Sequence, residues 1–356
     1  MSDADPWRCA DDRVVSIDVT ERRHPAAPLN ARRWGPDEHV TVVSAVTESG
    51  LRATTAGRAH GGMPAGVIGA QVRWCAATLT GRPLSEHRAV LAELAPAVSR
   101  QYVSAFAPAL LDALLWDLRA QSLTTSVAAL LAPRPAPWVE TYASLPVTTD
   151  PDEAAGLARA RLDAGSTGVK VHTCGRTGTD IEVVEAVARA AGGRGFLAYD
   201  AAGRLDRDDA ALIGAVLDRH GARWFEEPFG PWDLDGFRWL RERCSVPLAG
   251  FETAPGGTGA VRLVAAAGGP QLIAVDCYWK GGVTGAAEAV EAARAAGLGV
   301  VMHHGATPEL DALNVHVAAA LGTGPVEAMP AAGEPAGRAA RLRPGVGSTV
   351  DAGPGS

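Results

Sequence analysis

Beyond about residue 135 the sequence alternates eight short apolar runs with Ala-rich stretches, and this alternation constrains the fold more than any other feature. One Ala-rich stretch, DPDEAAGLARARLDAG (150–165), has acids in its first turn and Gly165 at its end, which is typical of a helix. Strands that alternate with helices predict parallel βαβ units, and eight of them fit a (β/α) barrel. A doubly wound open sheet is the alternative, but no G-x-G-x-x-G sequence follows the first run. The eight strand-like runs are WVETYASL, TGVKVHT, RGFLAYD, RWFEE, VPLAGFE, QLIAVDCYW, GVVMHH and PVEAM.

The first part of the chain has a different order, with strands first and helices afterwards. VVSIDVT (14–20) and HVTVVSAVT (39–47) alternate as half-buried strands do, and 51–62 is a candidate third strand. This order predicts an α+β domain. The predicted helices that follow cover about 64–80, 84–99 and 104–131.

The Pro-rich segment APRPAP (132–137) is a plausible connector between the two parts. We therefore predict an α+β domain over residues 1–135 and a barrel domain over 136–330. The remaining residues, 331–356, are rich in Gly, Pro and Ala, and PGVGSTVD within them is a candidate returning strand.

Composition excludes several classes of protein. The net charge is −7 and no Lys/Arg-rich run occurs, so a nucleic-acid partner is not expected. No apolar run has the length of a membrane span, and the start MSDADPW lacks the basic and apolar regions of a secretory signal. The five cysteines are scattered without metal-ligand spacing. We expect reduced thiols in a cytoplasmic protein.

Three carboxylates occupy equivalent positions in consecutive strand–helix units. Asp200 closes FLAYD, Glu226 closes RWFE and Glu252 closes VPLAGFE, so that 26 residues separate each acid from the next. In a parallel barrel the carboxyl ends of the strands carry the active site. Converging carboxylates repel one another unless a cation lies between them, and oxygen ligands favour Mg²⁺. The spacing therefore predicts a Mg²⁺ site, with Glu227 as the next candidate ligand; three unrelated acids in turns are the alternative.

The second barrel run ends in Lys170-Val171-His172. The period of two in a strand puts Lys170 and His172 on the same face, pointing into the barrel mouth. A Lys at a strand end is often a solvated surface residue. As a pair one strand before Asp200, however, these two side chains predict a functional role.

Polar residues also end the sixth and seventh runs. Asp276 follows LIAV, where a carboxylate is costly to bury unless it is paired. The seventh run ends in His303-His304, which places a histidine on the strand next to Asp276. A carboxylate on the back nitrogen of an imidazole sets its tautomer and raises its basicity. We predict a dyad of Asp276 with one of these two histidines; the alternative is an Asp that caps the next helix and a His that packs.

These parts define a reaction class. Hydrogen α to a carboxylate is a very weak acid, and its removal leaves a dianionic enediolate. A divalent cation stabilises that charge as it develops, while a base with a pKa near neutrality accepts the proton. Lys and His bases with Mg²⁺ serve this purpose in enolase-type sites.

At these residues the sequence resembles the enolase superfamily, in its mandelate racemase/muconate lactonizing branch, over nearly the whole chain. The segment around Leu115-Trp116-Asp117 is similar to a helix of the capping domain in that branch. Phe225-Glu226-Glu227-Pro228 is similar to its fourth-strand motif, whose first Glu is a metal ligand. DCYWKGGVTG (276–285) resembles the sixth-strand segment of the racemase subgroup, and His304-Gly305 the seventh-strand His. The family pattern also has an Asp at position 251 in some subgroups, where this chain has Phe and therefore relies on Glu252.

The resemblance implies a modified (β/α)₇β TIM-like barrel with an N-terminal α+β capping domain, to which 331–356 returns. It also implies a Mg²⁺ cofactor, a small-molecule carboxylate substrate and a homo-oligomer. Two departures from the family pattern occur. His172 stands where the family has its base Lys, and Ala202 stands where it has an Asn after Asp200.

We therefore predict a Mg²⁺-dependent lyase that removes the α-proton through an enediolate and eliminates a β-hydroxyl, most simply an acid-sugar dehydratase. In this prediction His304, oriented by Asp276, is one acid/base, His172 is the other, and Lys170 neutralises the substrate carboxylate. A racemase or epimerase with His172 and His304 as bases on opposite faces is the second possibility. A non-catalytic barrel that binds a carboxylate is the third. The cap loops 21–38 and 51–62 are expected to contribute to specificity.

Overall fold

A computed structural model describes residues 12–25, 37–59, 63–254, 257–329 and 340–341 of the 356-residue chain. The predicted returning strand PGVGSTVD and most of the loop between the first two predicted strands lie outside these residues. Among the described helices, none combines the length and apolarity needed to cross a bilayer.

The N-terminal part forms a three-stranded antiparallel sheet in the order β1-β2-β3, followed by helices. The predicted third helix over 104–131 is divided into two. Thr124 adopts a positive φ of 49°, and the Ser126 side chain caps the second helix by accepting from the Ala129 amide. The elements are β1 (Val14–Pro25), β2 (Asp37–Thr47), β3 (Arg52–Arg58), α1 (Val67–Leu79), a 3₁₀ turn (Leu84–Glu86), α2 (His87–Ser99), α3 (Phe106–Ser122) and α4 (Val127–Leu131).

All eight predicted barrel runs form strands, although WVETYASL is divided between β4 (Trp138–Val139) and β5 (Thr141–Ser144). Strand β4 pairs antiparallel with a short strand at 340–341, whereas β5 enters the barrel. The other barrel strands are β6 (Gly168–His172), β7 (Phe196–Asp200), β8 (Trp224–Glu226), β9 (Leu248–Gly250), β10 (Leu272–Val275), β11 (Gly299–Met302) and β12 (Val326–Ala328), and the strand at 340–341 is β13 (Ala340–Arg341).

The barrel is closed in the order β10-β11-β12-β5-β6-β7-β8-β9, and its strands are parallel. One helix lies between each strand and the next, so the described chain has seven β/α units and a final strand. This confirms the predicted (β/α)₇β barrel with an N-terminal cap. The seven helices are α5 (Pro151–Asp163), α6 (Thr177–Ala191), α7 (Arg207–Arg219), α8 (Leu234–Arg241), α9 (Gly257–Ala266), α10 (Gly282–Ala295) and α11 (Pro308–Leu321).

A layer of apolar side chains inside the barrel takes one buried residue from each of six strands. Because side chains alternate along a strand, the residue two positions later on each strand points to the same side and reaches the mouth. The residues that lie two positions after those of the interior layer are therefore expected to meet at the mouth of the barrel. The six interior residues are Tyr142, Ala198, Trp224, Ala249, Ala274 and Val301.

A buried polar network joins the cap to the barrel. Asp112 on α3 accepts hydrogen bonds from the Thr284 amide and hydroxyl on α10, at 2.9 and 2.7 Å. Asp112 also contacts Nε2 of His87 at 2.7 Å, and Trp116 donates to the Thr284 hydroxyl. The cap is thus attached at the first turn of the helix that follows strand β10.

Candidate metal centre and active site

The three predicted carboxylates meet at the mouth of the barrel. Each of Asp200, Glu226 and Glu252 offers an oxygen atom, and these atoms lie within 4.8 Å of one another. Asp200 and Glu226 are the last residues of β7 and β8 and pair in register. A cluster made only of carboxylate oxygens suits a hard divalent cation such as Mg²⁺. The residues present therefore fit the predicted ion.

The backbone conformation that brings Glu252 into the cluster could not be predicted from the equal 26-residue spacing of the three acids. Glu226 pairs with Ala249, so Glu252 lies three residues beyond the register position. Alternation would turn residue 251 toward the mouth, but Phe251 adopts a φ of 75°. This left-handed residue interrupts the alternation, and the Phe251 ring packs against Trp232 instead, with ring centroids 5.2 Å apart. Glu252 consequently takes the inward position.

Lys170 is the cation that the chain itself supplies to the cluster. Its Nζ lies 3.2 Å from Glu226 and 3.7 Å from Asp200, and the side chain is fully buried. Burial raises the pKa of Asp200, but the nearby Lys170 ammonium and His172 outweigh it and bring this pKa to about 2. Burial raises the pKa of Glu226, and it raises that of Glu252 well above the ordinary range. Lys170 therefore forms ion pairs with two of the three carboxylates, Glu226 and Asp200.

His172 lies on the same side of β6 as Lys170. Its Nδ1 is 3.2 Å from Oδ2 of Asp200, and its Nε2 is 2.7 Å from the hydroxyl of Ser144, which ends β5. The imidazole is thus held between a strand-end hydroxyl and a candidate metal ligand. Ser144 was not singled out in the sequence, although it lies two residues after the interior residue Tyr142.

The predicted Asp276–His304 pair is wrong, because Asp276 pairs with His303. Nδ1 of His303 lies 3.1 Å from Oδ2 of Asp276. The reason is strand parity: Asp276 and His303 each lie two residues beyond an interior residue, Ala274 or Val301, whereas His304 has the opposite parity. The alternation in GVVMHH contains this signal. We therefore assign the predicted acid/base role of this pair to His303 instead of His304, and the role itself stays a prediction.

His303 and His304 have opposite electrostatic surroundings. Nε2 of His303 is 3.3 Å from Glu252 and 3.9 Å from Glu327. Burial lowers the pKa of His303, but the Glu252 and Glu327 carboxylates outweigh it and raise this pKa to about 10. Burial lowers the pKa of His304 well below its ordinary value, and the neighbouring His303 adds to the effect. Nδ1 of His304 accepts from the Ala306 amide at 3.1 Å and so stabilises the turn.

Glu327 on the eighth strand belongs to the same cluster and was missed in the sequence. Oε2 of Glu327 accepts from Lys170 at 2.9 Å. Burial alone would raise the pKa of Glu327, but the positive charges of Lys170 and His303 outweigh burial and lower this pKa. Its other oxygen, Oε1, has no hydrogen-bond partner among the described residues. The available signal was an acid inside the apolar run PVEAM, since a buried carboxylate requires a partner.

Asn314 on α11 connects the two strand ends that carry the dyad. Its Oδ1 accepts from the Cys277 amide at 2.8 Å, and its Nδ2 donates to the His303 carbonyl at 2.9 Å. Asp276 in turn accepts from the Tyr278 and Trp279 amides through Oδ1. Asp276 therefore stabilises the turn that follows β10 and pairs with His303 at the same time, whereas the N-cap of the next helix is Gly281.

Comparison with known proteins agrees with this architecture. Residues 14–132 match the family described as "Mandelate racemase / muconate lactonizing enzyme, N-terminal domain", and residues 153–350 match "Enolase C-terminal domain-like". The chain is 28% identical over 225 residues to D-galactarolactone cycloisomerase of Agrobacterium fabrum, covering 62% of this chain and 59% of that protein. It is 29% identical over 158 residues to arabinonate dehydratase of Saccharolobus solfataricus, covering 44% of this chain and 42% of that protein.

A solved structure shares the fold. D-glucarate dehydratase from Agrobacterium tumefaciens, in a complex with magnesium, superposes with a TM-score of 0.77 at 23% identity, over 90% of this chain and 86% of that one. The matches to both domains, together with the closed barrel and its cap, settle the family. The chain belongs to the mandelate racemase/muconate lactonizing branch of the enolase superfamily.

Proposed function

We propose that this chain is a Mg²⁺-dependent enzyme that removes the proton α to a carboxylate and eliminates a β-hydroxyl, thereby dehydrating an acid sugar or a related hydroxy acid. The observation that carries the proposal is the position of the three carboxylates between two imidazoles. His172 lies beside Asp200, and His303 lies beside Glu252.

The two imidazoles approach the cluster from different sides of the barrel. His172 ends β6, and His303 follows β11. Two strands separate β6 from β11 in one direction around the barrel, and four separate them in the other. A group on one side can accept the α-proton while the group on the other protonates the leaving hydroxyl. The arrangement therefore suits a reaction with two proton transfers.

Each group of the chain has a proposed task. Asp200, Glu226 and Glu252 would hold the ion; Mg²⁺, when bound, supplies positive charge that stabilises the charge developing on the substrate carboxylate. His172, held by Ser144, exchanges a proton with the substrate on the β6 side. His303, oriented by Asp276, does so on the β11 side. Lys170 adds a positive charge beside Glu226 for the substrate carboxylate.

The relatives support an acid-sugar substrate. Arabinonate dehydratase and D-galactarolactone cycloisomerase both take their names from sugar acids or their lactones. The chain covers 42% of the length of arabinonate dehydratase and 59% of that of the cycloisomerase, so an acid-sugar substrate is part of the proposal.

A second candidate is racemisation or epimerisation of an α-substituted carboxylate. It is favoured by the presence of two imidazoles, since His172 and His303 would each deprotonate one configuration of the α-carbon. Dehydration and racemisation share the first step and differ in whether a hydroxyl leaves.

A screen of acid sugars and other α-substituted carboxylates with Mg²⁺ in D₂O tests the proposal. A dehydratase is expected to form a 2-keto acid, whereas a racemase or epimerase incorporates solvent deuterium without forming one. Chelation of Mg²⁺ should abolish both signals. If a broad panel yielded neither signal, the catalytic proposal would fail and a non-catalytic carboxylate-binding barrel would be favoured.

A further inference from the structure

The backbone of Glu252 is held on both sides by charged side chains. Its amide donates to Oε1 of Glu227 at 3.0 Å, and its carbonyl accepts from Nζ of Lys280 at 2.8 Å. The carboxylate complements the N–H of the peptide group before the Glu252 Cα, and the ammonium complements the C=O of the peptide group after it. The one candidate ligand that lies outside the strand register is thus the one whose main chain is fastened by ionisable groups.

These two side chains come from the strands on either side of Glu252. Glu227 follows β8, Lys280 follows β10, and the sheet order places β9 between them. Glu227 is 3% exposed and Lys280 is 6% exposed. Burying such groups is costly unless they are well paired, so their presence here requires a compensating role. We refer to Glu227 and Lys280 as the Glu252 clamp.

Lys280 also holds the residues on both sides of Glu252. Its ammonium contacts the carbonyls of Phe251 and Ala254 as well as that of Glu252. An ammonium has three N–H donors, and three carbonyls of one short loop accept from it. The loop that contains Glu252 therefore has three of its carbonyl groups directed at the Lys280 ammonium.

The clamp acts where the backbone is strained. Phe251 has a φ of 75° and Glu227 a φ of 37°, and neither is a glycine. Non-glycine residues persist in the left-handed region only where the surroundings over-determine their conformation. The Phe251 ring lies over the Lys280 ammonium, with 5.5 Å between Nζ and the ring centroid. Lys280 consequently fixes both the carbonyl and the side chain of the residue that turns Glu252 inward.

We propose that Glu227 and Lys280 are positioning residues that hold the Glu252 carboxylate in the metal cluster without contacting the ion. The proposal rests on the proposed metal site and deepens it. Residues that orient metal ligands in this way commonly change metal affinity by about 10–100-fold when they are removed. We expect a loss of that size in Mg²⁺ affinity, with a much smaller loss of kcat at saturating Mg²⁺.

The test compares Mg²⁺ affinity and folding in the full chain. Lys280→Met keeps most of the length of the side chain and removes its three donors. Glu227→Met removes the acceptor, and Glu227→Gln retains an amide oxygen in its place. Mg²⁺ binding is measured by isothermal titration calorimetry, and urea unfolding is measured in the presence of a chelator. His316→Leu is the matched control, because His316 is buried at the contact of α11 with α4, where it accepts from the Ala128 amide.

We expect Lys280→Met and Glu227→Met to weaken Mg²⁺ binding by about 10–100-fold. Glu227→Gln should recover most of the affinity, and His316→Leu should lower stability without changing affinity. If Lys280→Met does not fold, the comparison of Glu227→Met with Glu227→Gln decides the question. Wild-type affinity in both methionine variants would overturn the clamp alone. Absence of Mg²⁺ binding in the wild-type protein would overturn the proposed metal function and the clamp with it.

Discussion

The indole of Trp224, inside the barrel, donates a hydrogen bond to the carboxylate of Glu226, with 2.8 Å between Nε1 and Oε2. The other oxygen of Glu226, Oε1, accepts from Lys170 at 3.2 Å. Both oxygens of the central candidate ligand are therefore oriented by the protein, one from the barrel interior and one from strand β6, which lies two strands away. Such contacts fix a ligand before the ion arrives.

Trp224→Phe should weaken Mg²⁺ binding because it keeps most of the ring packing and removes the N–H donor. We expect a loss of about 10-fold, at the lower end of what outer ligand contacts contribute. Trp239→Phe is the control, since Trp239 is half-buried outside this cluster and lies beside Arg207 and Arg243. Equal Mg²⁺ affinities for Trp224→Phe and the wild type, by calorimetry, would show that the indole does not orient Glu226.

Glu226→Gln should lose Mg²⁺ binding and activity together while the fold persists. The barrel core is built from apolar side chains such as those of the interior layer, and it does not depend on the ion. Calorimetry gives the affinity and circular dichroism gives the fold, with Glu242→Gln on the exposed end of α8 as the control. Wild-type Mg²⁺ affinity in Glu226→Gln would disprove this ligand assignment.

The two imidazoles should separate the steps of dehydration. If His303 only protonates the leaving hydroxyl, His303→Asn abolishes elimination but still exchanges the α-hydrogen with solvent deuterium through His172, and His172→Asn abolishes both. If His303 is the α-base, the outcomes are reversed. Proton NMR in D₂O measures exchange, and 2-keto acid formation measures elimination.

His304→Asn is the matched control for His303→Asn, because His304 is adjacent in sequence but does not pair with Asp276. We expect His304→Asn to retain more activity than His303→Asn by at least about 10-fold, since proton-transfer groups contribute about 10²–10⁴-fold. A larger loss in His304→Asn than in His303→Asn would favour the Asp276–His304 assignment that the structure does not form. Normal turnover in both His172→Asn and His303→Asn would disprove the acid/base roles.

Asp311 should make the protein less stable as the pH rises from about 4 to about 7. Its carboxyl accepts from the Gly305 amide, and desolvation raises its pKa to about 7. Between about pH 4 and 7 the folded state then holds a proton that the unfolded chain has released, so the free energy of unfolding falls with increasing pH. The slope contributed by one group is at most about 1.4 kcal/mol per pH unit.

Asp311→Asn removes this titration and keeps an oxygen that can accept from Gly305. The stability of the variant relative to the wild type should therefore increase from pH 4.5 to pH 7.5, as measured by urea unfolding at several pH values. A difference in unfolding free energy that is independent of pH over this interval would contradict the raised pKa.

The contact of the cap with the barrel should depend on Asp112. This carboxylate is fully buried and has partners on His87 and Thr284. Asp112→Ala leaves those groups unsatisfied and should lower the free energy of unfolding by about 3 kcal/mol, whereas Thr284→Val should cost about 1–2 kcal/mol. Urea unfolding measures both, and a loss below about 0.5 kcal/mol for Asp112→Ala would show that the network does not hold the cap.

The sequence alone determined the class of fold and singled out the three acids of the candidate metal cluster. Eight apolar runs separated by helical stretches specify a (β/α)₇β barrel. Each run is apolar throughout because a barrel strand is buried on both faces, and this pattern can be read from the local sequence. Asp200 and Glu226 could be placed because both end a predicted strand. Strand parity in IAVD and VVMHH also contained the Asp276–His303 pairing, although the motif itself favoured His304.

Only the tertiary structure decided the contacts between distant strands. Phe251 adopts the left-handed conformation that turns Glu252 inward, and its carbonyl accepts a hydrogen bond from Lys280, which lies 29 residues away. Glu327 joins the site through Lys170, which is 157 residues away in sequence. Local propensity and periodicity report which face a residue occupies. They do not report which buried charges meet across the mouth of a closed barrel, because strand order, register and backbone strain decide those meetings together.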